Sequence, residues 1–272
     1  MTGAEDHLRD CELRLLATPL PEGERLALHA LLGHKGEPWL TDILWRMENA
    51  DGDSFAVAFR GEEAVASVWL GRSLGCPEVG LLGHVFTAPE HRRRGLAGRL
   101  LELVLEGFDR SGGRWVRLTT GNAAAARLYE RTGFGMVLGG AKEEHLTMLR
   151  PADPAGLRAR LSAPPSAWNA QLLCRLHYPS ACLLLAARDE GDKLPACGID
   201  RGLEAERRLL EVLGAHDSGR QLLWAMVEED GGSVRALACV AGTKTEVYAP
   251  ALDASRAQDF ARAVDALRKP GR

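Results

Sequence analysis

The stretch that most constrains the fold is a change of pattern within residues 85–101. A β-branched and aromatic run ends at Pro89, a basic turn that contains glycine follows, and an apolar-periodic segment begins at Leu96. This order predicts a strand, an anion-binding turn and a helix. Glycine has no Cβ to keep a ligand away from the backbone, and the first N–H groups of a helix lack intrahelical partners. Because the helix dipole adds a positive end, we expect the turn to bind a phosphate or pyrophosphate.

The spacing of this turn is Arg92-x-x-Gly95-x-Ala97. It lacks the Gly-Lys-Ser/Thr ending of a Walker loop and differs from the dinucleotide fingerprint G-x-G-x-x-G. It resembles the motif Gln/Arg-x-x-Gly-x-Gly/Ala of the GNAT superfamily of acyl-CoA N-acyltransferases, which holds the coenzyme A pyrophosphate at the start of a helix. The alternative interpretation is an arginine-rich helix start that is simply exposed to solvent.

A second motif lies at residues 119–134. Asn122 is a good N-cap, the alanine run after it has high helix propensity, and Gly133 is placed as a C-terminal stop, which together predict a helix. Asn122 and Tyr129 share one face of it, where they serve either a ligand or only capping and packing. The stretch resembles the second GNAT signature, Asn-x-x-Ala-x-x-Leu-Tyr-x-x-x-Gly-Phe, through Asn122, Ala125, Leu128, Tyr129, Gly133 and Phe134.

The periodicity around these motifs predicts the order β-α-α-β-β-β-α-β-α-β-β over about residues 10–150. This is the order of the GNAT fold, so we expect an α/β (α+β) protein. The resemblance implies a mixed central sheet that is splayed between strands 4 and 5, here residues 79–87 and 115–120. It also implies that the pantetheine arm lies in that gap.

The chain changes character after the first 150 residues. We predict a GNAT acetyltransferase domain at 1–150, a linker with a short helix at 151–162, and a smaller α/β domain at 163–272. The last is interpreted as a degenerate half-GNAT, because Val247-Tyr248-Ala249-Pro250 echoes Val85-Phe86-Thr87-Ala88-Pro89 but the turn after it is acidic and lacks glycine. The predicted elements are helices at 168–176, 203–213 and 254–267, and strands at 181–187, 222–228, 234–241 and 246–248.

The resemblance implies acetyl-CoA as co-substrate and assigns its binding to the two motifs and the strand before them. The backbone around Val85 is expected to contact pantetheine, and the amides from Arg92 to Ala97 to hold the pyrophosphate. The expected coenzyme-binding residues are Val85, Phe86, Thr87, Arg92, Arg93, Arg94, Gly95, Leu96, Ala97, Asn122 and Ala125.

The family reaction is direct attack of a neutral amine on the thioester. Tyr129 matches the tyrosine that protonates the departing thiolate. His84 is the first candidate for the general base, because it titrates near neutral pH and lies beside the expected thioester. Glu78 and His145 are weaker candidates. A packed histidine, with deprotonation of the amine through water, is the alternative.

Composition excludes several other classes. The net charge of −3 over 272 residues gives no global attraction for nucleic acid, and no apolar run is long enough to cross a membrane. Without a signal peptide at the start of the sequence, we expect a cytoplasmic protein. The six cysteines include no C-x-x-C pair and are expected to be buried thiols, with no metal site.

The sequence therefore predicts an N-acetyltransferase that acts on a primary amine of a small molecule or peptide. The alternative is a protein that senses acyl-CoA, or mediates interactions, on a GNAT scaffold. A third reading, an RNA- or ribosome-associated modifier, requires a basic face that the net charge does not reveal. We expect the second half to lack a coenzyme site and either to cover the acceptor side or to mediate self-association as a homodimer.

Overall fold

The computed structural model describes residues 10–138, 145–163, 165, 167–186, 202–217, 222–230, 232–241, 244–250 and 252–268. The strands are β1 (Glu12–Ala17), β2 (Ser54–Arg60), β3 (Glu63–Ser73), β4 (Cys76–Thr87), β5 (Trp115–Thr120), β6 (Gly135–Leu138), β7 (Leu146–Arg150), β8 (Trp168–Leu172), β9 (Leu222–Glu228), β10 (Val234–Ala241) and β11 (Lys244–Tyr248). The helices are α1 (Glu22–Leu32), α2 (Trp39–Asn49), α3 (Leu96–Arg110), α4 (Ala123–Glu130), α5 (Pro154–Ser162), α6 (Tyr178–Ala186), α7 (Gly202–Asp217) and α8 (Ala254–Arg268).

The first half of the chain forms a mixed seven-stranded sheet in the order β1-β2-β3-β4-β5-β7-β6. The predicted order of helices and strands is confirmed, and so is the mixed α/β fold of the GNAT type. Strand β1 lies at an edge of the sheet, and its residues are exposed or half-buried, whereas β2 and β3 are buried along most of their length.

The sheet opens between β4 and β5. These two parallel strands pair only from Val79↔Trp115 to Leu81↔Arg117, although β4 continues to Thr87 and β5 to Thr120. The remaining backbone groups on the facing edges of the two strands do not pair with each other. The splay is therefore at the position that the sequence predicted.

The second half forms a four-stranded antiparallel sheet in the order β11-β10-β9-β8. Two predictions here were wrong: residues 168–176 hold a strand and a short 3-10 turn instead of a helix, and residues 178–186 hold a helix instead of a strand. With these corrections the order is β-α-α-β-β-β-α, the same as from β1 to α3. The predicted helix at 203–213 and the later strands and helix are found.

Helix α6 is apolar on every side because it lies between the two sheets. Its residues Ala181, Cys182, Leu183 and Leu184 are all buried, and the helix contacts β4 on one side and β10 on the other. The apolar cluster around it includes residues from both halves of the chain, such as Leu81. A separate cluster lies on the other face of the seven-stranded sheet, under α3 and α4.

A buried ionic network also joins the two halves. The Arg46 guanidinium donates to Asp42 Oδ2 (2.7 Å), to Asp53 Oδ2 (3.2 Å) and to the backbone carbonyl of Arg175 (2.6 Å). Arg175 Nη1 in turn donates to Asp42 Oδ1 (2.9 Å). Since Arg46, Asp42 and Asp53 are almost completely buried, this network fixes the start of α6 against α2.

Candidate active site

A cavity of about 290 Å³ lies where β4 and β5 part. Residues 81–85 of β4 form one wall, and residues 118–121, at the end of β5, form the other. Tyr129 of α4 also lines it, and Tyr178 and Glu206 close it from the second half of the chain. The cavity thus combines the predicted gap, the predicted tyrosine and two residues from outside the first 150.

A β-bulge in β4 shapes the first wall. Ser67 pairs with Phe86 and Trp69 pairs with Gly83, so one residue of β3 faces two residues of β4. His84 lies in this bulge with a positive φ of 49°, which is uncommon for a residue other than glycine. The bulge turns the backbone of His84 and Val85 away from regular pairing and toward the cavity that both residues line.

The surroundings of His84 hold its imidazole in the neutral form. Burial, together with the positive charge of Lys35, lowers the pKa of His84 to about 3. Its Nδ1 is buried and has no hydrogen-bond partner among the residues that the structure describes. An imidazole with this pKa is a weak base at neutral pH, so the predicted role of His84 as general base gains no support from its pKa.

The glycine turn leads into α3 as predicted. Gly95 is the N-cap in the left-handed conformation (φ 79°), and a Cβ placed on it would meet nothing within 4 Å. In the described part of the chain, no backbone carbonyl accepts from the amides of Leu96, Ala97 and Gly98. The open space and the free donors fit an anionic group such as a pyrophosphate.

The arginines of the turn differ from one another. Arg92 Nε donates to the carbonyl of Thr87 (3.0 Å), and its guanidinium lies over the ring of Phe86 at 5.7 Å, which ties the turn to β4. Arg93 has a positive φ of 62° and, like Arg94, makes no ion pair with the described residues. The side chain of the predicted residue Leu96 is buried in the core, so only its amide is available to a ligand.

Helix α4 carries the second motif. The side chain of Asn122 accepts hydrogen bonds from the amides of Ala124 (2.9 Å) and Ala125 (3.2 Å), so it caps the helix. Tyr129 of the same helix is buried and lines the cavity. The centroid of its ring lies 6.1 Å from that of Phe134. Burial raises the pKa of Tyr129 to about 12. The phenol is therefore protonated at neutral pH and is a hydrogen-bond donor.

Other residues of interest lie outside the cavity lining. Phe86 packs against His34, with ring centroids 4.1 Å apart. The Glu78 carboxylate is engaged by Arg160 (3.1 Å) and faces Arg114 (3.8 Å). Neither Glu78 nor His145 is among the residues that line the cavity, which leaves both as the weaker candidates for the base.

Sequence reasoning missed four polar residues of the cavity: Lys35, Asp42, Tyr178 and Glu206. A signal existed for Asp42, because it lies on the apolar face of α2 with Arg46 four residues later. Glu206 shares a buried face of α7 with Leu210 and Leu213, which is unusual for a carboxylate. These patterns do not reveal which residues the carboxylates of Asp42 and Glu206 contact in the folded chain.

Among the described residues, the structure shows neither a metal-binding group nor a membrane-spanning helix. No group of three or more His, Cys, Asp or Glu side chains is arranged to hold a metal ion there. None of the helices formed by these residues has the length and apolar character needed to cross a membrane.

Comparison with family models places this site in a known class. Residues 23–134 match the model of the Acetyltransferase (GNAT) family. The matched part runs from α1 to the end of the second motif and contains both β4 and β5. The chain therefore carries a GNAT-family acetyltransferase domain, which implies acyl transfer from an acyl-CoA.

Solved structures with a similar fold cover about half of the chain. Escherichia coli ElaA is 19% identical, with a TM-score of 0.43 over 52% of this chain and 99% of its own. An acyl-CoA N-acyltransferase from Pseudomonas aeruginosa is 21% identical, with a TM-score of 0.42 over 52% and 99%. The ribosomal-protein-S18-alanine N-acetyltransferase from Escherichia coli is 17% identical, with a TM-score of 0.41 over 51% and 92%. A comparison with curated proteins finds no match.

Proposed function

We propose that the protein is an N-acetyltransferase that transfers an acetyl group from acetyl-CoA to a primary amine of a small molecule or peptide by direct attack. The observation that carries the proposal is the cavity at the splay, which Tyr129 and the bulge of β4 share. The free amides after Gly95 lie at the start of α3, which is the helix that follows β4 in the chain. A scaffold without chemistry would need neither a phosphate turn nor a phenol in the gap.

Each part of the proposed reaction is assigned to a different group of the site. The coenzyme supplies a thioester, and its pyrophosphate is assigned to the amides of Leu96, Ala97 and Gly98. A backbone N–H near Val85 is assigned to the oxygen that gains negative charge during attack. The neutral amine nitrogen forms the new bond to the acyl carbon and loses a proton to water, and the carbon–sulfur bond breaks. Tyr129 donates a proton to the departing sulfur and takes one back from water.

The direct test is a screen of primary amines with acetyl-CoA, read by release of the free thiol. Turnover with at least one amine, and none without acceptor, is the expected result. Tight acetyl-CoA binding with no turnover for any amine would favour the acyl-CoA sensor instead.

The role of Tyr129 is tested by Tyr129→Phe, which keeps the ring and removes the proton donor. We expect kcat to fall by roughly 10²-fold while acetyl-CoA affinity stays nearly unchanged, because the lost interaction is made mainly in the transition state. Tyr248→Phe, in the second sheet, is the matched control and should leave kcat unchanged. An unaltered kcat in folded Tyr129→Phe, under conditions where chemistry limits the rate, would leave Tyr129 as a packing residue.

A further inference from the structure

Glu206 is a carboxylate from the second half of the chain that lines the proposed acyl-transfer cavity. It lies on α7, and 94% of the residue is buried, since its relative exposure is 6%. The Arg117 guanidinium and the Thr119 hydroxyl both donate to the same oxygen, Oε1, the latter at 2.5 Å. Within the described part of the chain, nothing donates to Oε2. A buried carboxylate oxygen beside a cavity has a strong tendency to bind a donor.

The other charged groups of the cavity are already engaged or have the wrong sign. Both oxygens of Asp42 accept from guanidinium groups, Oδ2 from Arg46 and Oδ1 from Arg175. Lys35 lies on the wall formed by α2 and the segment before it. Its positive charge repels any cation that binds in the cavity. Among the carboxylate oxygens on these walls, Glu206 Oε2 is thus the one that no described residue engages, and it suits a positively charged donor.

The cavity is also lined by aromatic side chains. Trp39, Trp69 and Tyr178 line the same cavity as Glu206. Aromatic rings bind apolar groups, and they also attract a cation at their faces. The cavity therefore suits a primary amine that is attached to an aromatic or apolar group, with the ammonium at the carboxylate and the apolar part against the rings.

We propose that Glu206 is the specificity-determining residue for the acceptor, and that it binds the primary ammonium of an aryl-alkyl or similarly apolar amine through Oε2. The bound ammonium gives one proton to water before it attacks the thioester as the neutral amine. This inference rests on the proposed function and adds the substrate class to it. It assigns acceptor recognition to the second half of the chain, whereas the coenzyme turn belongs to the first. The other titratable groups that line the cavity are Lys35, Asp42, His84, Tyr129 and Tyr178, and Arg117 is paired with Glu206.

The experiment is a calorimetric titration with 2-phenylethylammonium, using the full chain saturated with coenzyme A so that no acyl transfer occurs. Glu206→Gln keeps the size of the side chain and removes its charge. We expect it to weaken binding of the ammonium by about 10-fold or more, since a hydrogen bond between charged groups is lost. Glu204→Gln, at an exposed position on the same helix, is the matched control and should change nothing.

Two further variants keep the test decisive. If Glu206→Gln does not fold because Arg117 is left unpaired, the double variant Arg117→Gln/Glu206→Gln removes both charges and should show the same loss. Lys35→Gln removes the opposing cation and should leave the binding unchanged or tighten it. Full-strength binding in folded Glu206→Gln, no binding of 2-phenylethylammonium to the unaltered protein, or weaker binding in Lys35→Gln would overturn the proposal.

Coenzyme A binding is measured separately in every variant, and each amine titration is repeated without coenzyme A. Failure of the unaltered protein to bind coenzyme A would contradict the proposed function. If coenzyme A still binds but the affinity for 2-phenylethylammonium does not depend on Glu206, only the assignment of Glu206 is contradicted.

Discussion

The two halves of the molecule share the order β-α-α-β-β-β-α but differ where the fourth strand of that order meets its helix. In the first half, Gly95 begins α3 in the left-handed conformation with no side-chain cap. In the second half, the carboxylate of Asp253 occupies the corresponding place and accepts from the amide of Arg256 (2.9 Å). The first turn leaves its amide donors free for an external anion, and the second satisfies one of its donors with its own carboxylate.

The neighbouring strand differs as well. Strand β4 is followed across the splay by β5, whereas β11 is the edge of a four-stranded sheet. The second half thus lacks a gap of this kind among the described residues. The comparison teaches that two regions with the same element order differ in just the two features, an uncapped turn and a splayed strand pair, on which the proposed coenzyme site depends.

The largest expected effect comes from breaking the contact between the halves. Arg46→Met should lower the free energy of unfolding by about 3–5 kcal/mol, because the carboxylates of Asp42 and Asp53 are left buried without their shared cation. Chemical denaturation measures the effect. Arg25→Met, which removes an ion pair with Glu48 at the surface, is the control and should cost less than about 1 kcal/mol. Equal losses in both variants would show that the buried network does not hold the halves together.

The next effect comes from giving the first turn the chemistry of the second. Gly95→Glu puts a carboxylate beside the free amides, and we expect acetyl-CoA affinity to fall by roughly 100-fold or more, mainly through charge repulsion and displacement of the pyrophosphate. Calorimetry gives the affinity. Gly112→Glu is matched, because Gly112 also has a positive φ (84°) and open space around its Cβ position, at the other end of α3. Undiminished binding in Gly95→Glu would remove this turn from the coenzyme site.

The smallest effect is the reciprocal change. Asp253→Ala removes the cap of α8 and should lower stability by about 1 kcal/mol. It should not create a second coenzyme site, because β11 has no splayed partner among the strands that the structure describes. Thermal unfolding and the stoichiometry of acetyl-CoA binding check these two points. Two bound coenzymes per chain would mean that the cap alone distinguishes the halves.

The first half was predictable because its signals are local. The strands alternate or run apolar to a glycine or proline, and the glycine turn and the alanine helix have specific spacings. The apolar run of α6 gave no such signal, since a helix buried on all sides shows no period and is indistinguishable from a buried strand. Strand β8 was missed because Trp168–Leu172 is short and is stabilised by pairing with β9, far along the chain.

The candidate site was only partly predictable for the same reason. The turn at Gly95 and the position of Tyr129 follow from motifs within a few residues. The place of Glu206 depends on a contact with Arg117 across 89 positions of the chain, which no local pattern encodes. The bulge at His84 and the low pKa of its imidazole likewise depend on packing between β3, β4 and Lys35.

The closure of the cavity by Tyr178 and Glu206 has a consequence during synthesis. A ribosome makes the turn at Gly95 well before it makes Glu206, and at ordinary elongation rates the interval is roughly 5–20 s. From the synthesis of Tyr129 to that of Tyr178, the nascent chain has both β4 and β5 but lacks the two side chains that close the cavity, and Glu206 is the later of the two. The cavity is thus assembled in a fixed temporal order, with the proposed coenzyme turn made first and the proposed acceptor residue made last.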